Sequence, residues 1–274
     1  MLAFFGTTDI KHFVKRLFES MDDLNGKVVI DIPAGSGYIS GVIRQKGATA
    51  YYAFDLFPEF FKADGIKCVK ADLTRSLPIE TGCADYILCQ EGIEHLPNQL
   101  FALQEFSRIL KPEGRLILTT PNISHLRAKL SNLLVESDLY KRLPANELDE
   151  VWHAKGGEIY FGHLFLIGVQ KLRALARIAG FRIKKIHAVR VSYSSFLLGV
   201  LFYPIVVMFN IYAYFKSYGK RKDIDEKVRR NTYDEVFRLN LHPTILFGKH
   251  LFIEFEKCVN GGEIAVYKEQ DSIC

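Results

Sequence analysis

The chain has 274 residues, of which 24% are charged and 49% hydrophobic, and its formal net charge is +5. This length favours one α/β domain that carries insertions, and the composition is too polar for a protein with many membrane spans. With 20 Gly and 9 Pro, the chain is also neither fibrous nor disordered. The small positive charge does not indicate nucleic-acid binding, so we expect no nucleic-acid partner.

The five cysteines are odd in number and contain no CxxC pair or metal-ligand spacing, which favours a reducing compartment over a disulfide framework. The N-terminal stretch lacks a basic region followed by a long apolar core, so we expect no signal peptide. Together these features predict a cytoplasmic protein.

Short apolar runs alternate with segments of helical periodicity along the chain. Helices are predicted over residues 8–24, 38–47, 58–63, 98–110 and 168–179. Strands are predicted over residues 27–31, 50–55, 68–70, 84–89, 115–119, 181–191, 250–258 and 263–268. Such alternation indicates right-handed βαβ units. We therefore predict a single domain over 1–274 with a doubly wound, mostly parallel seven-stranded sheet, and a lid of irregular helical pieces over 122–162.

The first predicted strand ends at Asp31 and leads into a glycine-rich loop. Gly35 and Gly37 allow the backbone to approach a ligand closely, and the next helix offers free N–H groups. The dinucleotide pattern GxGxxG needs glycine at position 40, where the chain has Ser40. A carboxylate before the loop suits an ammonium or sulfonium ligand and disfavours a pyrophosphate. A plain turn is the alternative interpretation of these residues alone.

Two more acidic residues follow the next two predicted strands. Asp55 ends the second strand, where a carboxylate can accept hydrogen bonds from both ribose hydroxyls. Asp72 follows the third strand, where it can accept from an adenine amino group while Leu73 packs against the ring. We expect the three carboxylates to converge on one crevice at the carboxyl ends of the strands.

These motifs resemble those of class I S-adenosylmethionine-dependent methyltransferases. The resemblance rests on VVIDIPAGSG (28–37), YYAFD (51–55), KADL (70–73), ADYILCQEGIEHLP (84–97) and EFSRILKPEGRLILTTPN (105–122), and extends loosely through 160–181. It implies the methyltransferase fold and S-adenosylmethionine as cofactor. Pro33 stands where many members carry the first glycine, and proline fits if the position needs only negative φ and no N–H donor.

By this resemblance, Asp31 and the loop hold the methionine part of the cofactor. Asp55 holds the ribose, Asp72 and Leu73 hold the adenine, and Gln90 with Glu91 lines the floor beneath the reactive methyl. The implied cofactor-binding residues are Asp31, Pro33, Ala34, Gly35, Ser36, Gly37, Asp55, Leu56, Asp72, Leu73, Gln90 and Glu91.

Two histidines are candidates for the catalytic base that removes a proton from a hydroxyl acceptor. His95 follows the cofactor floor, and His163 precedes the late helix over the crevice. A structural role is the alternative for each. Glu91, Glu94 and His95 also resemble the cluster with which quinone-pathway O-methyltransferases bind a divalent metal. The Glu-His pair is widespread in relatives without a metal, so we predict none.

An apolar insertion lies within residues 192–246. Residues 196–215 contain no charged side chain, and Lys216, Lys220, Arg221 and Lys222 follow. This length could span a bilayer of about 30 Å. However, the flanking strands should pair in one sheet, and residues 216–238 are too charged for a second span. We therefore predict a hairpin broken near Pro204 that contacts the membrane surface through 196–222. The alternatives are a buried helical cap and a dimer face.

The sequence thus predicts a methyltransferase that O-methylates an amphipathic acceptor (a lipid, quinone or lipid-linked glycan) on the cytoplasmic face of a membrane. One alternative is a soluble glycan or small-molecule methyltransferase whose insertion forms a homodimer face. Another is a non-catalytic cofactor-binding module. An NAD-dependent oxidoreductase is disfavoured by Asp31 and Ser40.

Overall fold

A computed structural model describes residues 9–21, 24–153 and 159–258 of the chain. Its main sheet contains β1 (Val28–Asp31), β2 (Ala50–Asp55), β3 (Cys68–Lys70), β4 (Ala84–Gln90), β5 (Leu110–Pro121), β8 (Phe181–Ile186) and β9 (His250–Lys257). The helices that pack around this sheet include α1 (Ile10–Ser20), α2 (Ser40–Gln45), α3 (Gln99–Ile109) and α6 (Val169–Ile178).

The strand order is β3-β2-β1-β4-β5-β9-β8. Strands β1 to β5 pair in parallel, and β9 is antiparallel to both of its neighbours. The predicted seven-stranded, mostly parallel sheet is therefore confirmed. The order reverses at β1, whose two neighbours are β2 and β4, so a crevice opens beyond the carboxyl ends of these three strands.

Two apolar clusters hold the helices on the two faces of the sheet. One contains Phe106 of α3 and Leu172 of α6, and the other contains Val14 and Phe18 of α1, all fully buried. The strand predicted over 181–191 ends at Ile186, and Val191 forms only an isolated bridge with Gly248. The strand predicted over 263–268 lies outside the described residues.

The lid segment differs from the expected helical pieces. It contains α4 (Leu126–Val135), α5 (Glu147–Glu150) and a small antiparallel pair of strands, β6 (Val151–His153) and β7 (Ile159–Phe161). Both strands are rich in β-branched and aromatic residues (Val151, Trp152, Ile159, Tyr160 and Phe161), which favours a two-stranded pair.

The predicted break near Pro204 is wrong. Residues Tyr193–Tyr218 form one helix, α7, with Pro204 inside it, and the chain reverses after Gly219 instead. The charged segment after α7, which is too polar for a second membrane span, forms α8 (Glu226–Leu241). Asp225 caps the N-terminus of α8, and the short helix α9 (Pro243–Phe247) follows. Tyr214 donates a hydrogen bond to Asp234 at 2.6 Å, and Asn240 donates to Asn210 at 2.8 Å, so α7 and α8 form the hairpin.

The insertion lies before β9, as predicted, but α7 is not a buried cap on the sheet. Only 6% of the apolar 18-residue stretch within α7 is buried. Among the residues that the structure describes, α7 is the one helix long and apolar enough to cross a membrane.

Candidate active site

Asp31 lies at the end of β1, at the point where the strand order reverses. Its side chain is buried, and its Oδ2 accepts a hydrogen bond from the Tyr51 hydroxyl at 2.6 Å. Burial raises the pKa of Asp31 to about 7; the Tyr51 hydrogen bond opposes this rise and the charge of Asp55 adds to it. A buried carboxyl of this kind is stabilised in its charged form by a ligand that carries a positive charge.

Asp55, at the end of β2, holds the glycine loop. Its two carboxylate oxygens accept hydrogen bonds from the Gly35 and Phe57 backbone amides, each at 2.8 Å. Since a carboxylate oxygen can accept more than one hydrogen bond, both oxygens retain capacity for a ligand hydroxyl. Gly35 has φ +53°, a left-handed conformation that glycine adopts without strain.

A cleft of about 870 Å³ lies over these carboxylates. Eleven of the twelve predicted cofactor residues line it: Asp31, Pro33, Ala34, Gly35, Ser36, Asp55, Leu56, Asp72, Leu73, Gln90 and Glu91. Gly37 does not line the cleft. A Cβ there would lie 2.6 Å from the Phe61 ring, so its role is to let the loop pack against that ring.

The far end of the cleft combines an apolar slot with one acidic side chain. Leu56, Phe57 and Leu73 line it together with Asp72. Asp72 Oδ1 accepts from the Thr74 amide and hydroxyl, while Oδ2 lies 3.4 Å from the exposed Arg75. A flat aromatic base with an exocyclic amino group fits this set.

His95 lines the cleft and is oriented by the lid. Its Nδ1 lies 2.7 Å from the Phe161 carbonyl oxygen and 2.9 Å from that of Gly162. Because both partners are acceptors, Nδ1 carries the proton and Nε2 is the free base. The Tyr160 hydroxyl lies 3.3 Å from Nε2 and donates to it.

Of the two carboxyls at the cleft floor, Glu91 lines the cleft and Glu94 lies behind it. Glu91 accepts from the Thr119 hydroxyl and lies 3.5 Å from His250 Nε2, and the fully buried Glu94 accepts from the Thr120 hydroxyl. Burial raises the pKa of both carboxyls, and the charge of Glu94 raises that of Glu91 further. Glu91 has φ +49°, so the chain turns sharply at the cleft floor.

His163 lies next to the cleft rather than in its wall. Its ring centroid is 5.5 Å from that of His95, and its backbone amide donates to the Glu150 carboxylate at 2.6 Å. Burial lowers the pKa of His163, and the neighbouring His95 lowers it further. The structure thus brings the two predicted histidines together but places only His95 in the cleft.

Glu94, His95 and His163 offer ligand atoms within 4.8 Å of one another, a set that could hold a divalent ion. Glu91, the other carboxylate of the predicted metal-binding pattern, instead directs its carboxylate toward Thr119 and His250. In this geometry the His95 Nε2 lone pair is engaged by Tyr160. The absence of a metal stays a prediction.

A family model described as a methyltransferase domain matches residues 5–186. Two similar curated proteins are both ubiquinone biosynthesis O-methyltransferases. The one from Xanthomonas oryzae pv. oryzae (strain PXO99A) is 30% identical over 109 residues, 36% of this chain and 45% of the relative. The one from Xylella fastidiosa (strain M23) is 32% identical over 108 residues, 36% of this chain and 44% of the relative. The chain therefore spans less than half the length of these relatives.

Two solved structures share the fold. A SAM-dependent methyltransferase from Archaeoglobus fulgidus has a TM-score of 0.52 at 16% identity, with 90% of this chain and 94% of that chain covered. An S-adenosylmethionine-dependent methyltransferase from Mesorhizobium loti has a TM-score of 0.52 at 14% identity, with coverage of 91% and 98%.

The match of the domain model over most of the chain defines the class of protein. The chain belongs to the methyltransferase-domain family, and its fold is that of the class I enzymes. S-adenosylmethionine is its cofactor, and the donor set agrees: a buried carboxylate for the ammonium, a second carboxylate for the ribose and an apolar slot for the adenine.

Sequence reasoning missed three groups that contribute to this site. The sequence identifies Tyr51 only as a strand residue. In the β1–β2 pairing it lies opposite Val29, two residues before Asp31, and its hydroxyl reaches the Asp31 carboxylate. Phe57 and Tyr160 both line the cleft, and their rings meet edge to face with centroids 5.7 Å apart. The adjacent aromatic residues at 160–161 were the only sequence feature that pointed to Tyr160. Its contact with His95 could not be predicted, because the two residues lie far apart along the chain.

Asp55→Asn should weaken S-adenosylmethionine binding by about tenfold or more, because it removes the charge that accepts from the ribose and from two backbone amides. Titration calorimetry measures the affinity. Glu59→Gln, an exposed carboxylate four residues further along the chain, is the matched control and should leave the affinity unchanged. An unchanged affinity in Asp55→Asn contradicts the ribose assignment.

Cofactor affinity should fall as the pH drops below about 7, because the free protein then holds Asp31 as a neutral carboxyl that must lose its proton to pair with the cofactor ammonium. The expected loss approaches tenfold per pH unit below the pKa. Titrations between pH 5.5 and 7.5 test this expectation. Asp31→Asn should bind more weakly and with little pH dependence; a wild-type protein with flat pH dependence contradicts the role of Asp31.

Proposed function

We propose that the chain transfers a methyl group from S-adenosylmethionine to an oxygen of an amphipathic acceptor at a membrane surface, with a lipid, quinone or lipid-linked glycan as acceptor. Similarity to curated O-methyltransferases supports oxygen as the acceptor atom. The exposed apolar helix α7 supports the membrane surface. The observation that carries the proposal is the orientation of His95 in the cleft wall.

His95 is arranged as a general base. The Phe161 and Gly162 carbonyls fix the Nδ1–H tautomer and the ring orientation, so Nε2 is left to take a proton. A backbone carbonyl that accepts from Nδ1–H holds the ring so that Nε2 can accept the proton of a bound hydroxyl. The Tyr160 hydroxyl occupies the position on Nε2 that an acceptor hydroxyl would take.

Bound S-adenosylmethionine supplies a methyl group on a positively charged sulfur. The acceptor oxygen would take this methyl group, and the remaining thioether would leave with the electron pair of the carbon–sulfur bond. His95 Nε2 takes the proton of the acceptor hydroxyl and passes it to solvent. Alignment of the acceptor with the carbon–sulfur bond provides much of the rate.

His95→Asn should lower kcat by about 100-fold or more, because general-base catalysis contributes in that range. Asparagine keeps a donor for the two carbonyls and lacks a basic nitrogen, so cofactor affinity should stay unchanged. The assay measures labelled methyl transferred from S-adenosylmethionine to a membrane-lipid extract. His153→Asn, an exposed lid histidine, is the matched control. A variant with wild-type kcat contradicts the assigned base.

The α7–α8 hairpin supports a location on the membrane. Leu201 and Phe209 are among the exposed apolar side chains of α7, and only Ser195 and Gly199 of this helix are buried. Lys216, Lys220 and Lys222 lie exposed at its C-terminal end, where each basic residue near an anionic surface adds about 1 kcal/mol of binding. A monomer rarely exposes so large an apolar surface without a partner.

The wild-type protein should float with vesicles of phosphatidylcholine and phosphatidylglycerol at a 3:1 ratio. Leu201→Glu with Phe209→Glu should lower the bound fraction by about tenfold or more, since each substitution replaces an apolar contact by a charge. Val69→Glu, at an exposed position of β3, is the control. Membrane binding is contradicted if the wild-type protein stays at the bottom of the gradient. If it also sediments as a dimer, and the same pair of substitutions dissociates that dimer, the result supports the dimer face.

The labelled-methyl assay also separates the remaining alternatives. Label in the organic phase of a membrane extract supports an amphipathic acceptor, and label confined to the aqueous phase supports a soluble one. Cofactor binding without any transfer supports a non-catalytic module. We propose a cytoplasmic location, on the inner face of the membrane.

A further inference from the structure

Three cationic side chains gather at the point where the apolar hairpin leaves the body of the protein. Arg190 lies just before α7 and Lys249 just before β9, and the Lys249 amide donates to the Arg190 carbonyl at 2.9 Å. Arg127 lies in the first turn of α4, and its amide donates to the Ser195 hydroxyl in the first turn of α7 at 3.2 Å. We refer to Arg127, Arg190 and Lys249 as the basic cluster.

The charges of the basic cluster act on one another. Burial lowers the pKa of Lys249, and the charges of Arg190 and Arg127 lower it further. Burial also lowers the pKa of His125, which caps α4, to about 4, and the charges of Arg127 and Lys249 add to this fall. Because exposed charges are largely screened beyond about 10 Å, the three cations lie close together.

The basic cluster has no counter-charge among the residues that the structure describes. None of its three side chains forms an ion pair with a carboxylate there, and the buried Nε atoms of Arg127 and Arg190 have no hydrogen-bond partner. Arg127 contacts only the Tyr140 ring, 5.3 Å from its centroid. By contrast, Arg115 lies 2.8 Å from the Glu254 carboxylate. Half-buried like charges without a partner destabilise a fold, and a bound anion would stabilise them.

The chemistry of the basic cluster favours a phosphate with a net negative charge. The guanidinium groups of Arg127 and Arg190 offer forked N–H donors that match phosphate oxygens, and Lys249 adds a compact charge. The nearby N-terminus of α7, capped by Ser192, carries the positive end of the helix dipole, so the helix does not compensate the cations. A head group with its own cation, such as choline, would be repelled.

The surface next to the basic cluster is apolar, which favours a lipid over a free phosphate. Leu197 and Val200, in the first turns of α7, are 52% and 73% exposed. The helix has 26 residues, or about 39 Å at 1.5 Å per residue, and Lys216 and Lys220 lie exposed near its other end. Cations at both ends, with exposed apolar side chains between them, are expected of a helix that lies along a membrane surface with both ends at the depth of the phosphates.

We propose that the basic cluster binds the phosphate of an anionic phospholipid, whose acyl chains lie along the N-terminal half of α7. The proposal rests on the membrane contact of α7 proposed above and adds a second point of attachment. His250, which follows Lys249 directly, lies 3.5 Å from Glu91 of the cleft wall. The lipid therefore holds the edge of the sheet that carries the cleft next to the membrane.

The test is binding of dihexanoyl phosphatidylglycerol below its micellar concentration, measured by calorimetry without S-adenosylmethionine. Dihexanoyl phosphatidylcholine and inorganic phosphate are the comparison probes. The wild-type protein should bind the phosphatidylglycerol at least tenfold more tightly than either. Arg190→Gln with Lys249→Gln should weaken this binding by about tenfold or more, because it removes two charge-assisted partners of the phosphate.

Arg16→Gln with Lys67→Gln is the matched control, since it removes the same charge from exposed positions in α1 and before β3 and should bind as the wild type does. The cluster variant should keep or raise the midpoint of thermal unfolding, because it relieves repulsion between like charges. Lys249→Gln alone is the second variant if the pair fails to fold, and should weaken binding by about threefold or more. Equal affinity for the three probes, tighter binding of inorganic phosphate, or wild-type affinity in the cluster variants overturns the proposal.

Flotation separates this site from the membrane contact of α7. The cluster variant should still float with vesicles but lose about threefold or more of the preference for phosphatidylglycerol-containing vesicles over phosphatidylcholine alone, whereas Leu201→Glu with Phe209→Glu should lose binding to both. A cluster variant with the wild-type preference overturns the site and leaves the membrane contact standing. A failure of methyl transfer shows only in the labelled-methyl assay, because lipid binding is measured without the methyl donor.

Discussion

The hydrogen bond from the Gly35 amide to the Asp55 carboxylate joins the ends of β1 and β2, and the cofactor cleft depends on it. The loop after β1 has no regular structure, so a side chain of the neighbouring strand must fix its path. Asp55 fixes both this loop and the chain after β2, through Phe57. The carboxylate that is placed for the ribose therefore also shapes the surface against which the cofactor lies. Asp31, buried beside it and bound to Tyr51, adds the charge that makes the cleft suited to a cation.

Much of this fold could be predicted, because β1 to β5 and the helices between them are local elements with clear periodicity. The residues at the strand ends could also be predicted, since parallel strands carry their carboxyl ends to one edge. The pairing of Tyr51 with Asp31 and of Tyr160 with His95 could not, since each depends on how separate elements pack. The continuity of α7 could not be predicted either. Proline usually breaks a helix interior, yet α7 continues through Pro204 to Tyr218, and α8 packs back against it with polar partners for Asn210 and Tyr214.

The lid joins the candidate site to α7, the helix that we propose lies on a membrane surface. Its β7 strand supplies the carbonyl that orients His95 and the hydroxyl that occupies Nε2. Its helix α4 is joined to α7 by the hydrogen bond between His125 and Ser195. Contact of α7 with a lipid surface, as we propose, would therefore bear on the segment next to the candidate site.

A crystal structure of the protein with S-adenosylhomocysteine tests the central claim most directly. We expect the ammonium within hydrogen-bond distance of Asp31, the ribose hydroxyls on the Asp55 carboxylate, the adenine between Leu56 and Leu73, and the thioether sulfur facing His95. A ligand whose ribose lies away from Asp55, or whose sulfur is directed away from the histidine pair, would contradict it.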